Sequence, residues 1–531
     1  MKKIWTVTGL IAAALTFGTS ASAASNLIYC SEGSPEGFAP ALYTSGTTFD
    51  ASSVPLYNRL VEFKSGTTEL APGLAESWDI SEDGLSVTFH LRPGVKFHSN
   101  RGFTPTRDMN ADDVIFTFQH QMDDVHPFHA VGGSTFEYFS SMDMGGLIES
   151  MEKIDDLTVR FNLTRREIPF LANLGMDFAS ILSAEYADHL LAQDNIDAIN
   201  TAPIGTGPFV FLNYQQDAVV RFRANDDFWG ERPAVDNLIF AITPDASVRY
   251  QKLLAGECQV MAYPNISDVE GMRASDEINL LEQEGFNVGY LAFNTNEPPF
   301  DDPRVRQALT MAVNKEAIID AVFQGAGEVA KNPLPPTIWG YNDDIQPWPY
   351  DPEAARSLLE EVGVFDLGTA IWAMPVQRAY NPNARRMAEL IQADWSAVGV
   401  EAEIVSYEWG EYLKRSGETD RAGAVLLGWT GDNGDPDNFL TGLLTCDGVG
   451  GYNRSFWCND AFDEVVQQAR TSDDNAQRVE LYHRAQEIFH EDAPWITTGH
   501  SIVYLPVRNE VQGYVISPLG KHDFSHVEIV N

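Results

Sequence analysis

The sequence predicts a mixed α/β protein of more than one domain, and three observations carry that reading. The chain has 531 residues, more than one hydrophobic core usually supports, so two or three domains are expected. From about residue 300 onward, strand-like apolar runs alternate with amphipathic helices, the texture of an α/β domain with a largely parallel sheet. The earlier half reads instead as strand–turn–strand pairs. Hydrophobic residues make up 44% and aromatics 11%, ample for packed cores and incompatible with wholesale disorder.

The first 24 residues differ in kind from the rest. Lys2 and Lys3 form a positive n-region, Ile4 to Phe17 is apolar, and small residues follow from Ser20 to Ala24. This is the order of a Sec-type signal peptide cleaved after Ala23 or Ala24. The apolar core is too short to span a bilayer comfortably. Cys30 follows Ile28 and Tyr29, not the small residues that lipid-attachment sites prefer. Cleavage would take the formal charge from −41 to −43, since two lysines and no acid are lost. No other stretch is long and apolar enough for a transmembrane helix, so a soluble exported protein without direct membrane insertion is expected. Four cysteines, at 30, 258, 446 and 458, suit an oxidising compartment and allow three connectivities. The 446/458 pair closes a short glycine-containing loop and is the natural local bridge, which leaves Cys30 with Cys258. Metal-ligand spacing of the CxxC kind is absent.

Along the mature chain, a strand over Leu27–Cys30 precedes a Gly/Ser/Thr/Pro-rich loop from Ser31 to Ser53. Strands are expected over Ala75–Ile80 and Ser86–Leu91, and a hairpin-like pair over Lys153–Leu163. Asn110 reads as a helix N-cap before Val114, Phe116 and Phe118. Strands follow at Gly205–Phe211, Ala218–Ala224 and Leu238–Ile242. Beyond Pro303, Val305, Ala308, Leu309, Ala312 and Val313 recur at helical spacing. Helices over Pro352–Val362 and Ala384–Val398 then alternate with strands over Thr369–Met374, Glu401–Ser406 and Ala424–Leu427. Two more helices, Ala461–Ala469 and Ala476–His490, end the pattern.

Searches for catalytic chemistry return little. The chain has 35 Lys+Arg against 76 Asp+Glu, which argues against nucleic acid or anionic lipid as a partner. Neither a phosphate-binding GxxxxGK[ST] loop nor a GxSxG elbow is present. His490-Glu491 opens a zincin-like motif, but Pro494 stands where the second histidine belongs. His126 and His129 lie in a loop-like HPFH run, and two ligands do not make a tetrahedral zinc site. No catalytic residue, metal site or cofactor is therefore assigned.

One cluster stands out: GWTGDNGDPDNF, from Gly428 to Phe439. It follows an apolar strand, at the end where open α/β sheets place ligands. As a calcium loop it has the wrong register, because Leu443 stands where a bidentate glutamate is needed. As a polar turn it is unremarkable in composition. As an anchoring site it offers Trp429 as a flat wall and an aspartate for a ligand cation. This run resembles a fingerprint of the bacterial periplasmic dipeptide-binding proteins, the receptors of peptide ABC transporters (extracytoplasmic solute-binding protein family 5). YCSEGSPEGF at Tyr29, TSGTTFDASS at Thr44, LAPGLAESW at Leu70, MPVQRAYNPNARRMAE at Met374 and the cysteine spacing are similar to that family too, over essentially the whole mature chain.

The resemblance implies a three-lobed periplasmic-binding-protein fold, with two α/β lobes joined by a hinge and an extra lobe inserted in the N-terminal half. Lobe I would combine residues 25–57, 206–285 and 503–531; lobe II would span 58–205 and lobe III 286–502. It implies the same two disulfides. It implies that Asp432 takes a ligand α-ammonium and Arg378 the terminal carboxylate, with Trp429, Thr430 and Gly431 lining the ligand, Thr44 touching it from the opposite lobe and Trp409 nearby. A dipeptide zwitterion spans about 6–7 Å between its ends, so two such anchors would measure length. The expected function is a monomeric periplasmic receptor that delivers dipeptides to an inner-membrane ABC permease. The alternatives are a family receptor for longer peptides, haem or another small amine-bearing solute, and, from another class, a secreted peptidase-like enzyme.

Overall fold

The structure, a computed structural model, describes residues 24–133 and 136–530; the expected signal segment falls almost entirely outside them. Three larger sheets organise these residues. The first runs in the order Ile278–Glu284, Gly499–Arg508, Val260–Met261, Asn26–Ser31, Asn237–Ile242, Val219–Ala224 and Phe209–Gln215, with Gly327–Val329 added on Gly499–Arg508. It therefore gathers strands from near both ends of the described residues. The second is a four-stranded antiparallel sheet of Ala75–Ile80, Ser86–Leu91, Thr158–Leu163 and Ile148–Asp155. The third orders Val400–Val405, Leu367–Trp372, Ala424–Thr430, Asn287–Phe293 and Trp495–Thr497.

Alternation builds the second sheet. Val87, Phe89 and Leu91 of one strand, and Val159, Phe161 and Leu163 of its neighbour, are buried while the residues between them are half-exposed. That face is covered by the helix Ala111–Met122, whose Phe118 meets Phe161 edge-on at 5.2 Å. The helix begins where the sequence indicates, with Asn110 and Asp113 forming a reciprocal capping box that satisfies otherwise orphaned N–H groups.

The third sheet departs in one strand from the largely parallel order expected. Val400–Val405, Leu367–Trp372 and Ala424–Thr430 run parallel, and Asn287–Phe293 pairs antiparallel with both Ala424–Thr430 and Trp495–Thr497, so a single reversed strand interrupts four that share one direction. The reason is topological: parallel neighbours need a crossover such as the helix Ala384–Ala397, and the reversed strand Asn287–Phe293 is not reached that way. A second correction concerns the loop expected from Ser31 to Ser53. It contains short helices at Gly46–Ala51 and Ser53–Leu56, whose buried Thr48, Phe49, Ala51 and Leu56 supply packing that outweighs weak local propensity. The cysteines pair as expected, with Cα separations of 5.8 Å for Cys30–Cys258 and 4.5 Å for Cys446–Cys458. Among the described residues no helix is long and apolar enough to cross a membrane.

Candidate ligand-binding site

A cavity with about 970 Å³ of atom-free space, partly open to solvent, is lined by Tyr290 and Leu427–Thr430 of the third sheet together with loop and helix residues from across the chain. Thr44, Arg378, Trp409, Trp429, Thr430 and Asp432 all line it. Gly431 does not. Its Cα is packed against Phe286 and Phe439, a Cβ there would fall 2.2 Å from the Phe286 ring, and its N–H donates to the Phe286 carbonyl. Its contribution is the tight turn that carries Asp432 into the cavity.

The central strand Ala424–Thr430 delivers the first of these groups. Its first five residues are buried, and its last two, Trp429 and Thr430, emerge at the cavity. Gly428 allows Tyr380 to lie across the strand, because a Cβ would sit 2.2 Å from that ring. Asn438, at the start of the following helix Asp437–Leu444, accepts from both the Trp429 indole at 3.0 Å and the Asp432 N–H at 2.9 Å. One amide oxygen thereby fixes the wall and the anchor together.

Asp432 is 8% exposed, and its carboxylate accepts from the Tyr138 hydroxyl at 2.9 Å and the Asn438 amide at 3.5 Å. Among the described residues it has no ion-pair partner, since the neighbouring Lys521 ammonium lies against Asp177 at 3.0 Å. Burial pushes the Asp432 pKa up to about 7, and the Asp177 charge adds to the rise; Lys521 and the two hydrogen bonds oppose it. A buried carboxylate without a cation is a strong acceptor for a ligand ammonium.

Arg378 is also buried, but it is already paired. Its Nη1 donates to Glu32 at 3.2 Å and to the Gln377 carbonyl at 3.0 Å, and its Nη2 donates to Thr47 Oγ1 at 3.3 Å. Thr47 in turn donates to Glu32. Burial alone would raise the Glu32 pKa, yet Arg378 and the Thr47 hydroxyl outweigh it and hold the carboxyl below its ordinary value. The Arg378 guanidinium lies 5.1 Å from the Trp409 ring and 5.7 Å from that of Tyr263. Three of its five donors are engaged, which leaves two for a further carboxylate. The Trp409 indole N–H is buried without a partner among the described residues, another donor available to a ligand.

The other acids of the GWTGDNGDPDNF run are committed elsewhere. Asp435 pairs with Arg478 at 2.8 Å, and Asp437 lies 3.5 Å from Arg470. Sequence reasoning passed over Glu32, Thr47, Tyr138 and Arg454. Glu32 and Thr47 stand inside runs quoted above, whereas Tyr138 reaches Asp432 across 294 residues with no local signal.

These features can be set beside known proteins. The model of the bacterial extracellular solute-binding proteins, family 5 Middle, matches residues 69–451. The chain belongs to that family. It is 57% identical to the "Dipeptide-binding protein" of Escherichia coli (strain K12), over 98% of this chain and 97% of that one. The crystal structure of a dipeptide binding protein from Pseudoalteromonas sp. SM9913 in complex with Met-Leu superposes with a TM-score of 0.92 at 41% identity, covering 95% of this chain and all of that one, 100%. An ABC transporter-associated periplasmic binding protein from Helicobacter pylori in complex with the peptide STSA also gives 0.92, at 36% identity, with 96% and 99% covered. The fold is that of the family's periplasmic binding proteins, two α/β lobes with an extra lobe.

Proposed function

We propose that this family 5 protein is a dipeptide receptor, in which Asp432 takes the ligand ammonium and Arg378 shares the ligand carboxylate with its existing partners. The observation that carries this reading is the buried Asp432 carboxylate, which lacks an ion-pair partner among the described residues and lines the same cavity as Arg378. Trp429, Thr430, Trp409 and Thr44 complete the walls. Affinity then comes mainly from the two ends and the backbone, so side chains are widely tolerated. The relatives named for dipeptides, one of them holding Met-Leu, support the ligand class.

The finer assignments follow from the same reading. The protein would be exported by residues 1–24, act as a periplasmic monomer and hand its ligand to an inner-membrane ABC permease. The lobes would be 25–57 with 206–285 and 503–531, then 58–205, then 286–502, and would close by hinging around the cavity. The peptidase alternative lacks an assigned nucleophile or metal. A haem reading would need an axial ligand, and the cavity tyrosines 138, 263, 290, 380 and 452 all have pKa values raised by burial, which disfavours tyrosinate.

The test is calorimetric titration of the mature chain with Gly-Leu, a tripeptide extended by one residue, and Gly-Leu amide. Tight binding of Gly-Leu alone is expected. Equal binding of the amide would remove Arg378 from its role, and equal binding of the tripeptide would overturn the length limit.

A further inference from the structure

Three cations line the cavity: Arg378, Arg454 and Lys521. Two are neutralised at close range, Arg378 by Glu32 at 3.2 Å and Lys521 by Asp177 at 3.0 Å. Arg454 differs. Its Nη2 stands 3.6 Å from Glu137 Oε2, beyond hydrogen-bond reach, and its guanidinium makes no hydrogen bond to any described residue, although its side chain is 11% exposed. A guanidinium so little exposed, with no hydrogen-bond acceptor among the described residues, keeps its donors free for an acceptor that a ligand brings.

The backbone that carries Arg454 is held in place. It lies in the loop closed by Cys446–Cys458. The neighbouring Asn453 amide donates to the carbonyls of Thr445 at 3.0 Å and Trp457 at 2.7 Å, and the Arg454 carbonyl accepts from Arg421 at 2.7 Å. The charge of Arg454 is felt by Tyr290 and Tyr452, which line the same cavity. Leu427, the register partner of Tyr290, lines it too, with Leu413 and Leu443. The result is an apolar wall with one fixed, under-paired guanidinium, the arrangement that suits a short aliphatic stem ending in a carboxylate.

We propose that Arg454 makes this part of the cavity a subsite for an acidic side chain, so that the protein selects dipeptides containing Asp or Glu over their amide counterparts. The proposal rests on the dipeptide reading given above and names a ligand class within it. A purely structural role, with Arg454 merely facing Glu137, would affect every dipeptide alike.

The experiment is calorimetry on the mature chain with Ala-Ala, Ala-Glu, Ala-Gln, Glu-Ala and Gln-Ala, for wild type, Arg454→Gln and Arg454→Lys. One Glu peptide is expected to bind wild type about tenfold or more tighter than its Gln partner. That ratio should fall toward one in Arg454→Gln and persist in part in Arg454→Lys. Equal Glu and Gln affinities in wild type overturn the proposal, as does a ratio that survives in Arg454→Gln. A common weakening of all peptides with the ratio intact also overturns it. Failure of Ala-Ala to bind wild type removes the dipeptide reading itself, and this proposal with it.

Discussion

Burial, and after it the field of Asp177, push the Asp432 pKa up to about 7, against the opposing hydrogen bonds from Tyr138 and Asn438. A ligand ammonium favours the ionised form, so binding must pull that pKa down and release a proton. Dipeptide affinity is therefore expected to fall as pH drops below about 7, and titrations near neutrality in buffers of different ionisation enthalpy should show proton release. Binding with no proton linkage between pH 5.5 and 8 would remove Asp432 from the ammonium. The same shift affects stability. A carboxyl whose folded pKa lies above its unfolded value destabilises the fold as pH rises from about 4 through 7. Asp432→Asn should thus melt higher than wild type at pH 8, little changed at pH 4.5, while losing dipeptide binding; equal melting at pH 8 would argue against the strained carboxylate. That Asp432 and Arg378 belong to one cavity could be expected from the sequence because they stand inside long, specific runs. Glu32 as the partner of Arg378, and Tyr138 as the partner of Asp432, could not, because those contacts join residues 346 and 294 apart.

The strand Ala424–Thr430 illustrates both the reach and the limit of local pattern. Its apolar run ends at Leu427, so a sequence reading stops there, and Gly428 looks like a break. In the structure the ladder continues to Thr430, with Gly428 opposite Gly289 and the Tyr380 ring lying over the strand. Two glycines in register make room for a side chain from elsewhere, and no periodicity can announce that. Gly428→Ala places a methyl 2.2 Å from the Tyr380 ring and 2.6 Å from the Val288 carbonyl. We expect it to lower stability by about 1–3 kcal/mol in denaturant titration and to weaken dipeptide binding through a displaced Tyr380. Unchanged affinity would show that Tyr380 has no positioning role. By contrast, the helix Ala384–Ala397 was legible almost to the residue, since Met387 and Ile391 recur at helical spacing and both are buried. The helix Gly46–Ala51 was not, because its Ser, Thr and Gly content signals a turn and its burial comes entirely from tertiary packing.

At the scale of the molecule, the largest sheet takes strands from Asn26–Ser31, the middle of the chain and Gly499–Arg508, and Cys30–Cys258 ties two of those regions across 228 residues. An α/β class can be recognised from the succession of elements, but which strands share a sheet depends on pairings that leave little trace in composition. Charge, on the other hand, is fully written in the sequence, and at −41 for the whole chain it should shape association. A neutral dipeptide zwitterion carries no net charge for that field to repel, whereas Ala-Glu carries one negative charge. Screening shortens the field from about 30 Å at 0.01 M salt to about 3 Å at 1 M. The association rate of Ala-Ala should therefore change little between low and high salt, while that of Ala-Glu rises several-fold as the repulsion is screened. Stopped-flow fluorescence can read this, because Trp409 and Trp429 line the cavity. A rate for Ala-Glu that falls with added salt would instead mean that Arg454 and Lys521 dominate the potential at the entrance over the net charge of the whole chain.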